Sequence, residues 1–247
     1  MTRAGRSPGL YFHVMATNKS GRVLASHWPY FLSIARGAQD KTERVMTKDP
    51  QALPASSITA IIMAALTIEA FINELGEAAD MAQIGREGIS SSVLELLQDL
   101  ANAIQEIEDD RGSIGLKYQM AYKVLSGRTF LRGESPFQEL QQLVSLRNLL
   151  VHPRPGDRVS STGHVEPSAR LIRDFQQKGL TRTRGRGPGD PLGGMSWLLE
   201  IETTEMTTWA IRGACGIIKA VGEVIPTDPP RTASIEMFKN NTQTLTV

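Results

Sequence analysis

The stretch Leu53–Ala79, LPASSITAIIMAALTIEAFINELGEAA, decides the fold of this chain. Proline and serine at its beginning are typical of a helix N-terminus. Apolar residues then recur at helical intervals, and the opposite side of the helix is apolar as well. The pattern therefore predicts a helix that is buried on most of its faces. The recurring positions are Ile58, Ile61, Ile62, Ala65, Ile68, Ile72 and Leu75.

One charged residue interrupts this apolar helix. Glu69 is the first charge after Asp49, and Asn73 lies four residues further on, on the same helix face. A carboxylate that is buried without a partner is strongly destabilising. We therefore expect a cationic side chain to lie close to Glu69.

Further helices are expected on both sides of a long irregular stretch. Amphipathic patterns predict helices at 92–108, 115–126, 167–178 and 203–224, and another that begins at Ser135-Pro136-Phe137, with Ser135 as its cap. Pro153 should end that helix, because the residue before a proline is disfavoured in α geometry. Its apolar stripe is expected to contain Phe137, Leu140, Val144, Arg147 and Val151. A short strand is predicted at 197–201.

The predicted architecture is mainly α, an antiparallel helical bundle. Residues 1–54 are expected to be an N-terminal extension with a strand or hairpin and a short helix near 32–37. Residues 55–224 are expected to be the helical domain. Within it, 153–196 is rich in proline, glycine and arginine, which predicts a long basic loop insertion before the last helix. Residues 225–247 are expected to be a tail.

Cysteine content and hydropathy exclude several kinds of structural feature. The chain has one cysteine, Cys215, which excludes an intramolecular disulfide and a cysteine-based zinc cluster. No run approaches the roughly 18 apolar residues of a membrane span, since Ile58–Ile68 is interrupted by two threonines. The N-terminus lacks the apolar core of a signal peptide. We expect a soluble cytoplasmic protein that does not bind a membrane.

The net charge of +1 conceals a segregation of charge along the chain. Residues 1–50 and 153–187 each have eight basic and three acidic side chains, whereas 51–152 has seven against thirteen. Basic charge outside the helical core is able to reach a polyanion such as RNA, although solvated loop arginines explain it equally well. The candidate RNA-binding residues are Arg154, Arg158, Arg182, Arg184 and Arg186.

Candidate catalytic residues lie in Ser145–Pro153, SLRNLLVHP. Arg147 is permanently charged and fits phosphate, while His152 belongs to the residue type that can both take and give a proton near neutrality. His152 would act as general base or acid at the ribose 2′-hydroxyl, Arg147 would neutralise the phosphorane, and Asn148 would hold a phosphate oxygen or the imidazole. Glu69 would orient Arg147. No metal or other cofactor is expected.

The alternative interpretation of these residues is structural. Arg147 and Glu69 would form a buried ion pair, and His152 would only cap a helix before a proline. Arginine and histidine five residues apart lie about 140° apart on an ideal helix. They would come together only if Pro153 unwinds the last turn.

The spacing of Arg147 and His152, together with the helix Thr67–Leu75, resembles the HEPN superfamily of small all-α domains over roughly residues 55–152. The resemblance implies a metal-independent endoribonuclease of a toxin or defence system. It also implies a homodimer in which two such motifs face one cleft, with an antitoxin protein as a possible partner. Arg154 stands where some HEPN toxins have a tyrosine that an antitoxin adenylylates. The alternative function is a non-catalytic helical module that binds RNA, a nucleotide or a protein.

Overall fold

The computed structural model describes residues 14–17, 23–82, 90–152, 167–182, 197–226, 242 and 245. In this part of the chain two short strands precede eight helices. They are β1 (Val14–Thr17), β2 (Val23–Ala25), α1 (Trp28–Lys48), α2 (Ser56–Ala82), α3 (Ser91–Asp109), α4 (Ile114–Ser126), α5 (Phe137–Val151), α6 (Pro167–Gln177), α7 (Trp197–Glu200) and α8 (Thr204–Val224). The mainly α helical bundle predicted from the sequence is confirmed.

Helix α2 lies at the centre of the bundle, where it contacts α1, α3, α4, α5 and α8. Both of its apolar sides are buried, as the sequence predicted, because neighbouring helices cover it from several directions. By length and composition alone α2 could also cross a membrane, although more than half of its most apolar window is buried against the rest of the protein. The expectation of a soluble protein stays a prediction.

A row of aromatic side chains joins three of these helices. The rings of Trp28 on α1 and Phe71 on α2 meet edge to face at 5.6 Å, and Phe71 stacks on Tyr118 of α4 at 6.3 Å. All three side chains are buried. The Tyr118 hydroxyl donates to the Ile68 carbonyl at 2.9 Å, which gives this buried polar group a partner.

The N-terminal region differs from its prediction in one important way. Strands β1 and β2 pair in antiparallel fashion, so the expected hairpin is confirmed. However, the short helix expected near 32–37 is 21 residues long and begins at Trp28. Trp28, Leu32 and Ala35 belong to the same hydrophobic core as α2. The sequence predicted too short a helix because the second half of α1 has no apolar stripe. That half buries only Thr42 and carries charged side chains on its other faces.

A buried carboxylate of α2 holds the beginning of α1. Glu74 accepts hydrogen bonds from the Ser26 hydroxyl at 3.0 Å and from the His27 backbone N–H at 2.7 Å. The His27 side chain lies 3.3 Å from the same carboxylate. Burial raises the pKa of Glu74, and these contacts oppose the rise. The carboxylate thus satisfies one of the backbone donors that a helix N-terminus leaves without partners, the N–H of the N-cap residue His27.

Three local predictions were wrong. Residues Trp197–Glu200 form a helical turn rather than a strand. Helix α5 has Pro136 at its N-cap with no side-chain cap, whereas Ser135 donates to Glu139 at 3.2 Å. The face of α5 that is buried contains Leu143 and Leu146 besides Phe137 and Leu140, while Val151 is exposed. The predicted apolar stripe is one residue out of register, because Leu143 and Leu146 lie on the buried face in place of Val144 and Arg147. Arg147 therefore lies beside the buried face and is partly exposed.

Candidate functional site

The expected cation lies beside Glu69. Arg147 Nη2 on α5 donates to Glu69 Oε2 on α2 at 3.1 Å, which confirms the predicted contact. The two side chains are 25% and 35% exposed, so the pair is less buried than the apolar sequence around Glu69 suggested. Its position follows from the packing of α5 against α2 in the bundle.

Asn148 fixes the guanidinium from a second direction. Its Oδ1 accepts a hydrogen bond from Arg147 Nη1 at 3.0 Å. The fork of Arg147 is thus held by a carboxylate of one helix and by the next residue of its own helix. A side chain with two such partners loses most of its rotamer freedom before any ligand arrives.

His152 lies where α5 ends. Its backbone N–H still donates to the Asn148 carbonyl at 2.9 Å, but its φ of −125° and ψ of 66° have left the helical region. Its side chain is exposed. It faces an open groove of about 710 Å³ between α5 and α6, lined by Ser145, Asn148, Leu149, His152, Arg170, Leu171 and Asp174.

The structure divides the predicted catalytic residues between two sides of α5. The α5 residues of the groove, Ser145, Asn148, Leu149 and His152, follow helical spacing along one face. Arg147 lies on the adjacent side, at Glu69. Asn148 belongs to both, because it lines the groove and accepts from Arg147. In one chain, therefore, the hydrogen bond to Asn148 joins Arg147 to the lining of the groove.

The candidate RNA-binding arginines need one correction. Arg182 is partly buried: its Nη2 donates to the Ala52 carbonyl and lies 3.4 Å from the Met46 sulfur. These contacts join the segment after α6 to α1 and to the loop between α1 and α2, so the Arg182 side chain is engaged within the protein. Glycine and arginine nearby made it look like a solvated basic residue. Arg154, Arg158, Arg184 and Arg186 lie outside the described residues.

Sequence reasoning missed a buried lysine behind the Glu69–Arg147 pair. Lys117 of α4 is 4% exposed, donates to Asn73 Oδ1 at 2.8 Å and forms an ion pair with Glu108. Burial lowers the pKa of Lys117, and the Glu69 carboxylate opposes that change. The ammonium lines a second cavity, of about 410 Å³, between α2, α3 and α4. The only signal in the sequence was Asn73 on the face of Glu69.

In the described part of the chain, no group of three or more histidine, cysteine or acidic side chains is arranged to hold a metal ion. Cys215 is buried in the core, and burial raises the pKa of its thiol. Such a thiol is a poor nucleophile at neutral pH. The polar groups that line the α5–α6 groove are an imidazole, a guanidinium, an amide, a carboxylate and the hydroxyl of Ser145.

Comparison of the chain with protein-family models, with curated proteins and with solved structures found no match. Inference about its function therefore rests on the side chains around α5.

Proposed function

We propose that this chain is a metal-independent endoribonuclease of HEPN type that cleaves RNA by attack of the ribose 2′-hydroxyl. The observation that carries the proposal is the arrangement at the end of α5. Arg147 is fixed by Glu69 and Asn148, and five residues further along His152 presents its imidazole to an open groove. A positioned cation and an imidazole that faces open space, on neighbouring sides of the same helix end, suit phosphodiester transfer.

The reaction would need only proton transfer and charge stabilisation. His152 takes the proton of the 2′-hydroxyl, the 2′-oxygen forms a bond to phosphorus, and the bond from phosphorus to the 5′-oxygen breaks. The leaving oxygen takes up a proton, which gives a 2′,3′-cyclic phosphate and a 5′-hydroxyl. Because the 2′-hydroxyl is the nucleophile, DNA would not be a substrate.

One imidazole does not readily act as base and acid in the same step. A homodimer, which the resemblance implies, would bring two copies of His152 to one phosphate path. It would also allow Arg147 of one subunit to approach the groove of the other. Action as a cytoplasmic toxin or defence nuclease, with an antitoxin partner, belongs to the same proposal.

A second function has its own support. The guanidinium of Arg147 is already occupied by Glu69 and Asn148, as in a structural ion pair. In that case the groove would bind RNA, a nucleotide or a protein without cleaving it. The two functions differ in what His152 does, since only the nuclease needs its proton transfer.

The experiment compares wild type with His152→Ala, Arg147→Ala and the control Arg132→Ala, which removes an exposed arginine of the α4–α5 loop. Each protein is incubated with single-stranded RNA, with and without EDTA, after circular dichroism has shown that it is folded. We expect loss of His152 to lower the cleavage rate roughly 10²–10⁴-fold, whereas Arg132→Ala keeps wild-type activity. Products should end in 2′,3′-cyclic phosphate.

Two results would contradict the nuclease proposal as a whole, and a third would contradict its metal independence. Equal cleavage by wild type and His152→Ala would place the activity elsewhere or in a contaminant. Absence of cleavage by the folded wild-type protein, together with RNA binding, would favour the binding module. Inhibition by EDTA would refute the metal-free mechanism specifically.

A further inference from the structure

Helix α6 forms the wall of the groove opposite His152. It contributes Arg170, Leu171 and Asp174, which lie on one side of that helix. No part of the HEPN-like motif lies on α6. Among the described residues, the cation that shares the groove with His152 is therefore Arg170 rather than Arg147.

Contacts on the other faces of α6 fix its position. Phe175 is fully buried, and its ring centroid lies 4.8 Å from that of Trp209 on α8. Lys178, just beyond the helix, donates to Gln142 of α5 at 2.7 Å. The carbonyl of Leu180 accepts from Thr203 at 2.6 Å. Because α6 is tied to both α5 and α8, the width of the groove is set by the fold.

The polar side chains of the groove differ in whether they already have a protein partner: Ser145 donates to the Gln141 carbonyl, and Asn148 accepts from Arg147. Among the described residues, no hydrogen bond or ion pair engages the side chains of His152, Arg170 or Asp174. Arg147, by contrast, already has two partners. A guanidinium without a protein partner can offer its whole fork to a phosphate.

We propose that a single RNA strand lies in the α5–α6 groove and that Arg170 binds its phosphate beside His152. This inference rests on the proposed function and names the part of the site that holds the substrate. The groove volume, about 710 Å³, is in the range of ligand sites that hold one or two nucleotide-sized groups. Asn148 lies on the same surface and can donate its amide to a second phosphate oxygen. Asp174 contributes a negative charge that a phosphate must avoid.

The test uses three variants of the full chain that change α6 alone. Arg170→Ala removes the proposed phosphate contact. Arg173→Ala makes the same change in net charge three residues away, at an exposed position outside the groove lining. Asp174→Asn removes the negative charge of the groove. Circular dichroism and thermal unfolding would confirm that all three proteins keep the wild-type fold.

The probe is a single-stranded oligonucleotide of mixed sequence with 2′-O-methyl riboses, which has no 2′-hydroxyl and cannot be cleaved by the proposed reaction. Its Kd is measured by fluorescence anisotropy at several salt concentrations. We expect Arg170→Ala to raise the Kd about tenfold, the effect of one charge-assisted contact. The slope of log Kd against log salt should fall by about 0.7. Arg173→Ala should change the Kd less than about twofold, and Asp174→Asn should lower it about twofold to threefold.

Two substrates test the two proposals separately. The 2′-O-methyl probe measures binding in the groove, and an RNA strand with unmodified riboses measures cleavage. If Arg170→Ala and Arg173→Ala weaken binding equally, the inference is overturned even where His152-dependent cleavage persists. Absence of binding by wild type at low salt overturns it as well. If the Arg170 effect appears and the ribose strand stays intact, the groove assignment holds and the nuclease proposal falls.

Discussion

At the scale of single residues, the contribution of the Glu69–Arg147 pair to stability depends on how exposed the two side chains are. A pair in water contributes little, because each ion loses hydration and rotamer freedom when it is fixed. With a quarter and a third of the two side chains exposed, the pair stands between a surface bridge and a buried one. Its main effect is therefore on the direction of the guanidinium rather than on the stability of the fold.

A double-mutant cycle measures this directly. We expect Glu69→Gln and Arg147→Gln to show a coupling free energy of roughly 0.2–1 kcal/mol in denaturant unfolding, smaller at high salt. The control cycle is Glu139 with Arg212, a pair at 4.0 Å in which the arginine is 55% exposed. The coupling free energy of this control pair should be lower than that of Glu69 and Arg147. A coupling of several kcal/mol at Glu69 would instead indicate a buried structural pair and support the non-catalytic interpretation of Arg147.

Glu74 gives stability a predictable dependence on pH. Burial raises its folded pKa above the ordinary value of 4.5, so the folded chain binds this proton more tightly than the unfolded chain does. Stability from the protonated carboxyl is fully present below the unfolded pKa and is lost as pH rises through the raised folded pKa. In Glu74→Gln that dependence should be absent.

Urea unfolding between pH 4 and pH 7.5 checks this expectation. The difference in unfolding free energy between wild type and Glu74→Gln should become less favourable to wild type as pH rises. Glu77→Gln, a change at an exposed position on the same helix, is the control. If the unfolding free energy of wild type relative to Glu74→Gln stayed constant or increased with pH, the hydrogen bonds from Ser26 and His27 would have a larger effect on the pKa of Glu74 than its burial has.

At the scale of elements, sequence periodicity located most helices but not their contacts. Helix α3 differs from its predicted bounds by one residue at each end, and α8 begins one residue later than expected because Thr203 is its N-cap. These helices have apolar stripes that only one register can bury. Trp197–Glu200, by contrast, is too short for its periodicity to separate strand from helix.

The candidate site shows the same limit. The pairing of Glu69 with Arg147 followed from the cost of an isolated carboxylate, so sequence alone identified it. The pairing of Lys117 with Glu108 and Asn73, and the approach of α6 to His152, depend on how helices distant in sequence pack. Nothing local in Lys117 or Arg170 distinguishes them from solvated cations.

Thr203 connects the beginning of α8 to the segment that follows α6. Its hydroxyl accepts from the Met206 N–H at 3.0 Å and donates to the Leu180 carbonyl at 2.6 Å, so it caps α8 and holds the segment after α6. We expect Thr203→Ala to lower the unfolding free energy by about 1–2 kcal/mol, while Thr203→Ser has a small effect. Ser113→Ala, which removes the cap of α4 only, is the comparison. Equal losses in both alanine variants would mean that the Leu180 contact is energetically neutral.

At the scale of the whole molecule, α1 unites the N-terminal region with the bundle. The sequence placed a boundary at residue 54, because the hairpin and the charged second half of α1 look unlike the apolar α2. In the structure, Trp28 is buried against Phe71, and the Glu74 carboxylate is satisfied by the residues that precede α1. Removal of α1 would expose apolar side chains and leave a buried carboxylate without partners.

A truncation tests whether that boundary separates two folding units. A chain of residues 49–247 should lose cooperative thermal unfolding, whereas a chain of residues 14–247 keeps it, because the second retains α1 and the contacts of Ser26 and His27 with Glu74. Trp28→Ala in the full chain should lower the unfolding free energy by about 3–5 kcal/mol, the usual cost of a large cavity in a core. Circular dichroism melts of the three proteins provide the comparison. An unchanged cooperative transition in residues 49–247 would show that α1 is an appendage, and that residues 55–224 fold without it.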